Sequence, residues 1–418
     1  MQLCAKPWPP QLRVGSIHGV SSIKRLLSGL RKGRDFCLLP WAAKVESLRD
    51  RVGLPGDAPN SNSAVVASLQ WLKTAQNCST SGDGGVARHF SLTSGWGSSY
   101  PETTGYIVPT FIDAAHRYQD DEYLQRARRM LDWLVSIQFP EGGFQGGLVD
   151  AQPKVPVTFN TGQILLGLSA GVTEFGDQYR EPMIRAADWL RNSMDKDGCW
   201  RKHGTPFAMP GEKVYETHVA WSLLEAARID GSRGYAGAAL RNIKWALSHQ
   251  RENGWFDKCC LSDPIRPLTH TLGYALRGVL EGWRFTGDDD LLSAAQKTAD
   301  GLLSSLDTVS GYLPGRLDCN WQRAAVWVCL TGSVQVAHCW LILYQATGDR
   351  KYLTAGQAAN RYVRRTIRLD GSKETRGGIK GSFPVYGQYC IFEYLNWAAK
   401  FFIDSHWLES DIEKGVNG

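Results

Sequence analysis

LDWLVSIQFPEGGFQGG, residues 131–147, runs a charge-alternating amphipathic stretch into a glycine-rich turn with an aromatic, and the almost wholly apolar NTGQILLGLSAG follows at 160–171. The first piece repeats its apolar residues at intervals of three and four, as a half-wet helix does; the second is apolar all round and rich in small residues, as a helix buried on both sides is. The same pair of helices recurs along the chain. Counterparts of the first piece are LQWLKTAQ at 69–76, ADWLRNSM at 187–194, IKWALSHQ at 243–250, ADGLLSSL at 299–306 and NRYVRRTI at 360–367. With Trp71, Trp133, Trp189, Trp245, Gly301 and Tyr362 as equivalent points, the spacings are 62, 56, 56, 56 and 61 residues. That period is too long for tetratricopeptide or ankyrin units and long enough for two helices and two connections.

Each first helix is followed by a turn of one kind: GDGGVARHF, EGGFQGG, KDGCW, RENGWF, VSGYLPG and RGGIKG. The other apolar stretches are GYIVPTFIDAAHRY at 105–118, YETHVAWSLLEAARI at 215–229, THTLGYALRGVLEGW at 269–283, TGSVQVAHCWLILYQAT at 331–347 and GQYCIFEYLNWAAKFF at 387–402. Six hairpins with strictly alternating wet and dry helices predict an all-α (α/α)6 barrel, a toroid with an inner and an outer ring of helices. The expected layout is an N-terminal extension or packed arm over 1–60, the barrel over 61–405 and a C-terminal tail over 406–418. Within the arm, the basic pieces Lys24-Arg25 and Arg31 to Arg34 precede a short helix expected over 35–50.

Connection lengths give the ring a direction. Inner-to-outer connections such as FTGDDDL and ATGDRKY are short, whereas outer-to-inner ones run to about twenty residues and collect Gly, Pro, His, Trp and Arg. Long loops without secondary structure are uncommon unless they work. All six long crossings therefore meet at one rim, at the N-termini of the inner helices, where free N–H groups favour polar or anionic ligands. Asp288-Asp289-Asp290 and Gln119-Asp120-Asp121-Glu122 fall on the other rim at outer-helix starts, so they read as helix caps and not as metal or diphosphate ligands.

The 418-residue chain has a formal net charge of +6 and no basic stripe with interleaved aromatics, which argues against a nucleic-acid partner. It has no apolar run of membrane-spanning length and no uninterrupted hydrophobic segment in MQLCAKPWPPQLRVG. Cys4, Cys37, Cys78, Cys199, Cys259, Cys260, Cys319, Cys329, Cys339 and Cys390 show neither metal-ligand pairing nor disulfide-scaffold density, so reduced thiols in the cytoplasm are expected. No nucleotide loop, HExxH or GxSxG is present, and neither metal nor cofactor is expected.

The expected mouth is most dense in hairpins two to five. Asn160 and Gln163 begin one inner helix, Tyr215, Glu216 and His218 the next, His270 and Tyr274 the third, and Gln335 the fourth. Arg277 lies seven residues beyond His270 and so on the same face, two turns deeper. A buried cation there needs a counter-charge or a ligand anion, and Glu225 and Glu281 are the alternatives to a ligand. Asn160 has a plain alternative role as a helix cap. Tyr106, Trp255 and Trp321, with Trp96, Trp200 and Tyr312, are candidate sugar platforms, although packing between hairpins accounts for such rings equally well.

With these turns the chain resembles the α/α-toroid class over about residues 62–405. That class takes in six-hairpin glycosidases, uronate lyases and epimerases, and terpenoid cyclases and prenyltransferases. Gln138 with Gly143-Phe144, and Gln250 with Gly254-Trp255, look like the repeat motif of triterpene cyclases. The chain departs from that branch in lacking an Asp-x-Asp-Asp acid motif at the mouth and recognisable Asp/Cys/His zinc ligands. The toroid resemblance and the mouth residues together lead to an expected carbohydrate-active enzyme on an oligosaccharide or polysaccharide carrying uronate. In that scheme Arg277 or Asn160 neutralises the carboxylate, His270 or His218 removes the C5 proton, and Tyr274 or Tyr215 acts as acid, giving elimination or epimerisation. Hydrolysis is the competitor and needs two carboxyl groups, with Glu216 as the acid and Asp83, Glu102 or Asp318 as the second. A non-catalytic glycan-binding scaffold and a terpenoid cyclase complete the alternatives.

Overall fold

A computed structural model describes residues 36–415, so Lys24-Arg25 and Arg31 to Arg34 lie outside the described residues. Six helices form the inner ring: α3 (Pro101–Tyr118), α5 (Thr158–Phe175), α7 (Thr217–Ile229), α9 (Thr269–Thr286), α11 (Leu330–Thr347) and α13 (Asn396–Glu413). Six form the outer ring: α2 (Ser61–Asn77), α4 (Asp121–Ser136), α6 (Arg180–Ser193), α8 (Tyr235–Leu247), α10 (Asp289–Ser304) and α12 (Arg350–Arg364). Each inner helix packs on the next around the ring, and α13 returns to α3, so the barrel closes.

Small residues allow the inner helices to touch backbone to backbone. A Cβ on Gly167 of α5 would stand 2.2 Å from the carbonyl oxygen of Gly105 in α3, and one on Gly332 of α11 would stand 2.6 Å from the amide nitrogen of His270 in α9. The repeated turn has an equally concrete role. Gly142, Gly198, Gly254 and Gly311 all have positive φ and press against a backbone carbonyl of the following outer helix, at Arg185, Arg241, Lys297 and Ala358. Gly377 does the same at Ala67, which joins the last hairpin to the first. The repeated glutamine completes the stitch: Gln138 Nε2 donates to Pro182 O at 3.0 Å and Gln250 Nε2 to Ala294 O at 2.8 Å. The sequence motif is thus the joint between adjacent outer helices.

The acidic runs on the other rim are caps. Asp120 accepts from Glu122 N and Asp288 from Asp290 N, each at the start of an outer helix. Among the described residues no helix is long and apolar enough to cross a membrane.

Three boundaries differ from expectation. The first inner helix starts at Pro101 rather than 105, because proline's fixed φ and missing N–H suit the first helical position. The last inner helix begins at Asn396, not 387, and continues through residues expected to be a tail, ending at Glu413. Cys390 and Phe392 have positive φ, and β5 (Glu393–Leu395) pairs antiparallel with β1 (His89–Ser91), which in turn pairs with β2 (Gly95–Trp96). The apolar run 387–395 is therefore loop and strand, and it ties the sixth crossing to the first. A second two-stranded pairing joins β3 (Val328–Cys329) to β4 (Ser382–Phe383). In the N-terminal arm the short helix is α1 (Trp41–Val52), two of whose acids, Glu46 and Asp50, hold the buried Lys380 Nζ at 2.9 and 2.6 Å.

Candidate active site

The long crossings enclose a cavity of about 440 Å³ at the N-terminal ends of the inner helices. Eight of its twenty lining residues are aromatic: Tyr100, Tyr106, Phe159, Tyr215, Tyr274, Tyr389, Trp397 and the exposed Phe207. The other polar side chains on the wall are Arg88, His89, Glu102, Asn160 and His270, with the hydroxyls of Thr205 and Thr271. This balance of apolar wall and convergent polar groups is the usual build of a small-molecule site.

Starting α3 at Pro101 places Glu102 in its first turn, where the N-terminal end of the helix favours a carboxylate. Burial works the other way and prevails, pushing the Glu102 carboxyl up to about 7 against the Tyr100 hydroxyl and the charge of Arg88. Tyr100 Oη donates to Glu102 Oε2 at 2.8 Å and fixes the group's direction. Arg88, carried in by the first crossing, donates to Glu393 Oε2 at 2.8 Å, so the β1–β5 pairing also delivers the cavity's arginine with its counter-charge. The Arg88 guanidinium lies over the Trp397 ring, 5.1 Å from its centroid.

His270, in the first turn of α9, is buried and is shifted down to about 4 by burial, so its ring is neutral at physiological pH. Gln335 Oε1 lies 2.6 Å from His270 Nδ1, which assigns the proton to Nδ1 and leaves the lone pair on Nε2. Tyr274, one turn deeper, stacks 4.5 Å from the His270 ring. Asn160 Nδ2 is buried without a partner on the cavity wall. The structure gives Asn160 no capping role, since α5 begins two residues earlier.

The structure brings His270, Tyr274, Tyr215, Tyr106 and Asn160 to this cavity, with Gln335 directly behind His270. It does not bring the others. His218 lies a layer deeper, its ring 4.5 Å from Tyr274 and 5.0 Å from Trp221, and burial with the nearby Arg277 keeps it neutral. Glu216 is buried away from the cavity, with Oε2 unpartnered and its carboxyl raised to about 8 by desolvation. Gln163 is fully buried within α5, its amide unpartnered.

Arg277 faces the opposite end of the barrel and donates to Glu281 at 2.6 Å, because two helical turns carry it past the floor of the mouth. Trp255 and Trp321 pack on each other with ring centroids 5.1 Å apart, and Trp321 Nε1 bonds Asn253 O; they are hairpin packing. Trp96, Trp200 and Tyr312 likewise do not line the mouth. Asp83 accepts from Ser99 Oγ and Gly85 N, and Asp318 from the amides of Asn320 and Gln322, so both shape loops.

A closed double ring of six hairpins with one elaborated rim decides the class. The chain is an α/α toroid. No protein-family profile matches it. Squalene–hopene cyclase of Zymomonas mobilis subsp. mobilis is 24% identical over 247 residues, which cover 52% of this chain and 36% of that protein. The match thus spans about a third of the cyclase's length. The unsaturated glucuronyl hydrolase of Bacillus sp. GL1, responsible for the degradation of glycosaminoglycan, superposes with a TM-score of 0.67 at 16% identity, over 85% of this chain and 98% of that one. The cellobiose 2-epimerase of Bacillus thermoamylovorans B4167 gives 0.64 at 14% identity, over 84% and 100%. At these identities the likeness is one of fold.

Arg88, His89, Tyr389, Cys390 and Trp397 line the toroid's mouth without having been singled out in the sequence. The signal for the first two was present in the long GGVARHF crossing, which carries an arginine and a histidine beside its turn. The other three were hidden by reading residues 387–395 as helix.

Proposed function

We propose that this toroid is a carbohydrate-active enzyme that moves a proton on an acidic sugar unit seated in the mouth. The observation that carries the reading is the pairing, in one cavity, of a neutral histidine whose Nδ1 is fixed on Gln335 with a carboxyl raised to about 7. One is a base and the other an acid over the same pH range, the condition for general acid–base chemistry near neutrality. His270 Nε2 takes the C5 proton and Glu102 donates to the departing oxygen, with Tyr274 and Tyr215 as further hydroxyl donors. Arg88 and Asn160 Nδ2 bind the uronate carboxylate, the role expected of Arg277. Trp397 and Phe207 supply ring faces for the sugar.

Among the described residues Glu102 is the only carboxyl group lining this cavity, so hydrolysis by paired carboxylates lacks its second member there. The aromatic wall would also suit a terpenoid carbocation, but a guanidinium in that wall opposes positive charge. The toroid likeness to a glucuronyl hydrolase and a sugar epimerase supports a glycan as substrate. The free thiols of the nine described cysteines support a reducing compartment, the cytoplasm.

The test is incubation in deuterated buffer with uronate-containing and neutral oligosaccharides, followed by mass and by ultraviolet absorbance. Elimination yields an absorbing unsaturated product, and epimerisation yields solvent deuterium at C5 without bond cleavage. Either outcome, lost in His270→Gln, supports the proposal. Addition of water without C5 exchange, or turnover of neutral glycans alone, overturns it.

A further inference from the structure

The barrel has a second and larger cavity, of about 910 Å³, at the C-terminal ends of the inner helices. Tyr106 lines both cavities, and it packs on Phe401, which also meets Tyr274, with centroids 5.3 and 6.0 Å apart, so an aromatic floor separates the two ends. Nothing in the mouth chemistry uses this second space.

We propose that this cavity is a separate ligand site for a small polyhydroxylated anion, a sugar bearing a carboxylate or a phosphate, anchored on Arg277. Three observations carry it. First, among the described residues Arg277 uses only Nε in a hydrogen bond, to Glu281 Oε1 at 2.6 Å, while its two terminal nitrogens, with four N–H donors, bond none of them. Its guanidinium is held 4.3 Å over the Trp221 ring, so the free edge is fixed in direction toward the cavity it lines. A planar edge of this kind matches the two oxygens of a carboxylate or phosphate.

Second, the counter-charge of Arg277 is divided, although the wall as a whole carries six carboxyl groups against five Lys and Arg side chains. Arg277 and Arg284 share the single buried carboxylate of Glu281, at 2.6 and 3.2 Å, whereas Arg228 pairs with Glu225 and Lys400 with Asp404. The ring of His338, on the same cavity, is held neutral by burial and by the charges of Arg277, Lys400 and Arg284. Helix C-termini disfavour anions, but that effect fades within the last turn, and Arg277 stands nine residues before the end of α9 at Thr286.

Third, hydroxyl partners are waiting. Ser169 Oγ lines the cavity on a residue only 4% exposed and has no partner. Among the described residues the Asp113 carboxyl has no hydrogen-bond partner, and it is pushed up to about 6 by burial and Asp404. Buried polar groups left unpaired cost stability unless something fills the site.

The experiment titrates glucuronate, glucose 6-phosphate and glucose into the full chain by calorimetry and locates bound ligand in soaked crystals. Glucuronate or glucose 6-phosphate is expected between Arg277 and Ser169, with glucose at least tenfold weaker, and the comparison of the two anions tells which source is preferred. Arg277→Met should weaken that event about tenfold or more, the range for a charge-assisted hydrogen bond. Ala170→Trp, which fills the cavity wall without removing a charge, should abolish it while the melting temperature reports folding. Binding at this end that is equal in wild type and both variants, glucose bound as well as the anions, or no ligand seen there, overturns the proposal.

Discussion

The two ends of the barrel are built from the same six helices and differ in how their charges are matched. At the lower end nearly every cation has a carboxylate: Arg117 with Asp411, Arg228 with Glu225, Lys400 with Asp404, and Arg277 and Arg284 with Glu281. At the mouth the titratable groups stand among aromatic rings, and Glu102 and His270 each have a neutral partner, Tyr100 or Gln335. Charge matching keeps a group ionised and inert near neutrality, whereas burial beside neutral partners moves it into the range where protons are exchanged. The difference predicts chemistry at the mouth and binding at the lower end.

The largest effect that sharpens this contrast is on turnover. His270→Gln should lower kcat by about 10² to 10⁴ fold, the usual share of a general base, while Arg277→Met leaves kcat within about twofold. A steady-state assay of both variants checks it, and equal losses would erase the distinction between the ends.

Stability against pH comes next. Glu216, buried outside the mouth cavity, has its carboxyl raised to about 8 from an ordinary value of 4.5. Between those values the folded chain holds a proton that the unfolded chain releases, so stability falls as pH rises through the window. Thermal melts from pH 5 to 8 should show that fall, and Glu216→Gln should flatten much of it. An unchanged slope in the variant would place the pH dependence elsewhere.

The smallest effect concerns the floor between the two ends. Among the described residues the buried Tyr106 hydroxyl has no hydrogen-bond partner, so Tyr106→Phe removes an unsatisfied group and should leave the melting temperature equal or slightly higher. A drop of several degrees would reveal that the hydroxyl is paired after all.

The double ring was readable because each hairpin repeats one physical solution: a half-wet helix, a glycine that fits against the neighbouring backbone, and a dry helix of small residues. Gly254 against Lys297 and Gln250 on Ala294 show why those letters recur. The mouth was half readable. His270, Tyr274 and Asn160 follow from position in the first turns, but helical periodicity could not say how deep a side chain sits relative to a floor, and Arg277 fell through to the other end. Arg88 and Trp397 depend on the β1–β5 pairing of the first and sixth crossings, a long-range contact that local pattern does not encode.

The pH dependence of kcat/KM tests the mouth most directly. With His270 neutral above about 4 and Glu102 protonated below about 7, the wild type should hold a plateau between those values and decline on the alkaline side, and the residual activity of Glu102→Gln should lack that decline. An alkaline limb that survives in Glu102→Gln, or a wild-type profile that rises steadily from pH 6 to 8, would contradict the assignment of acid and base.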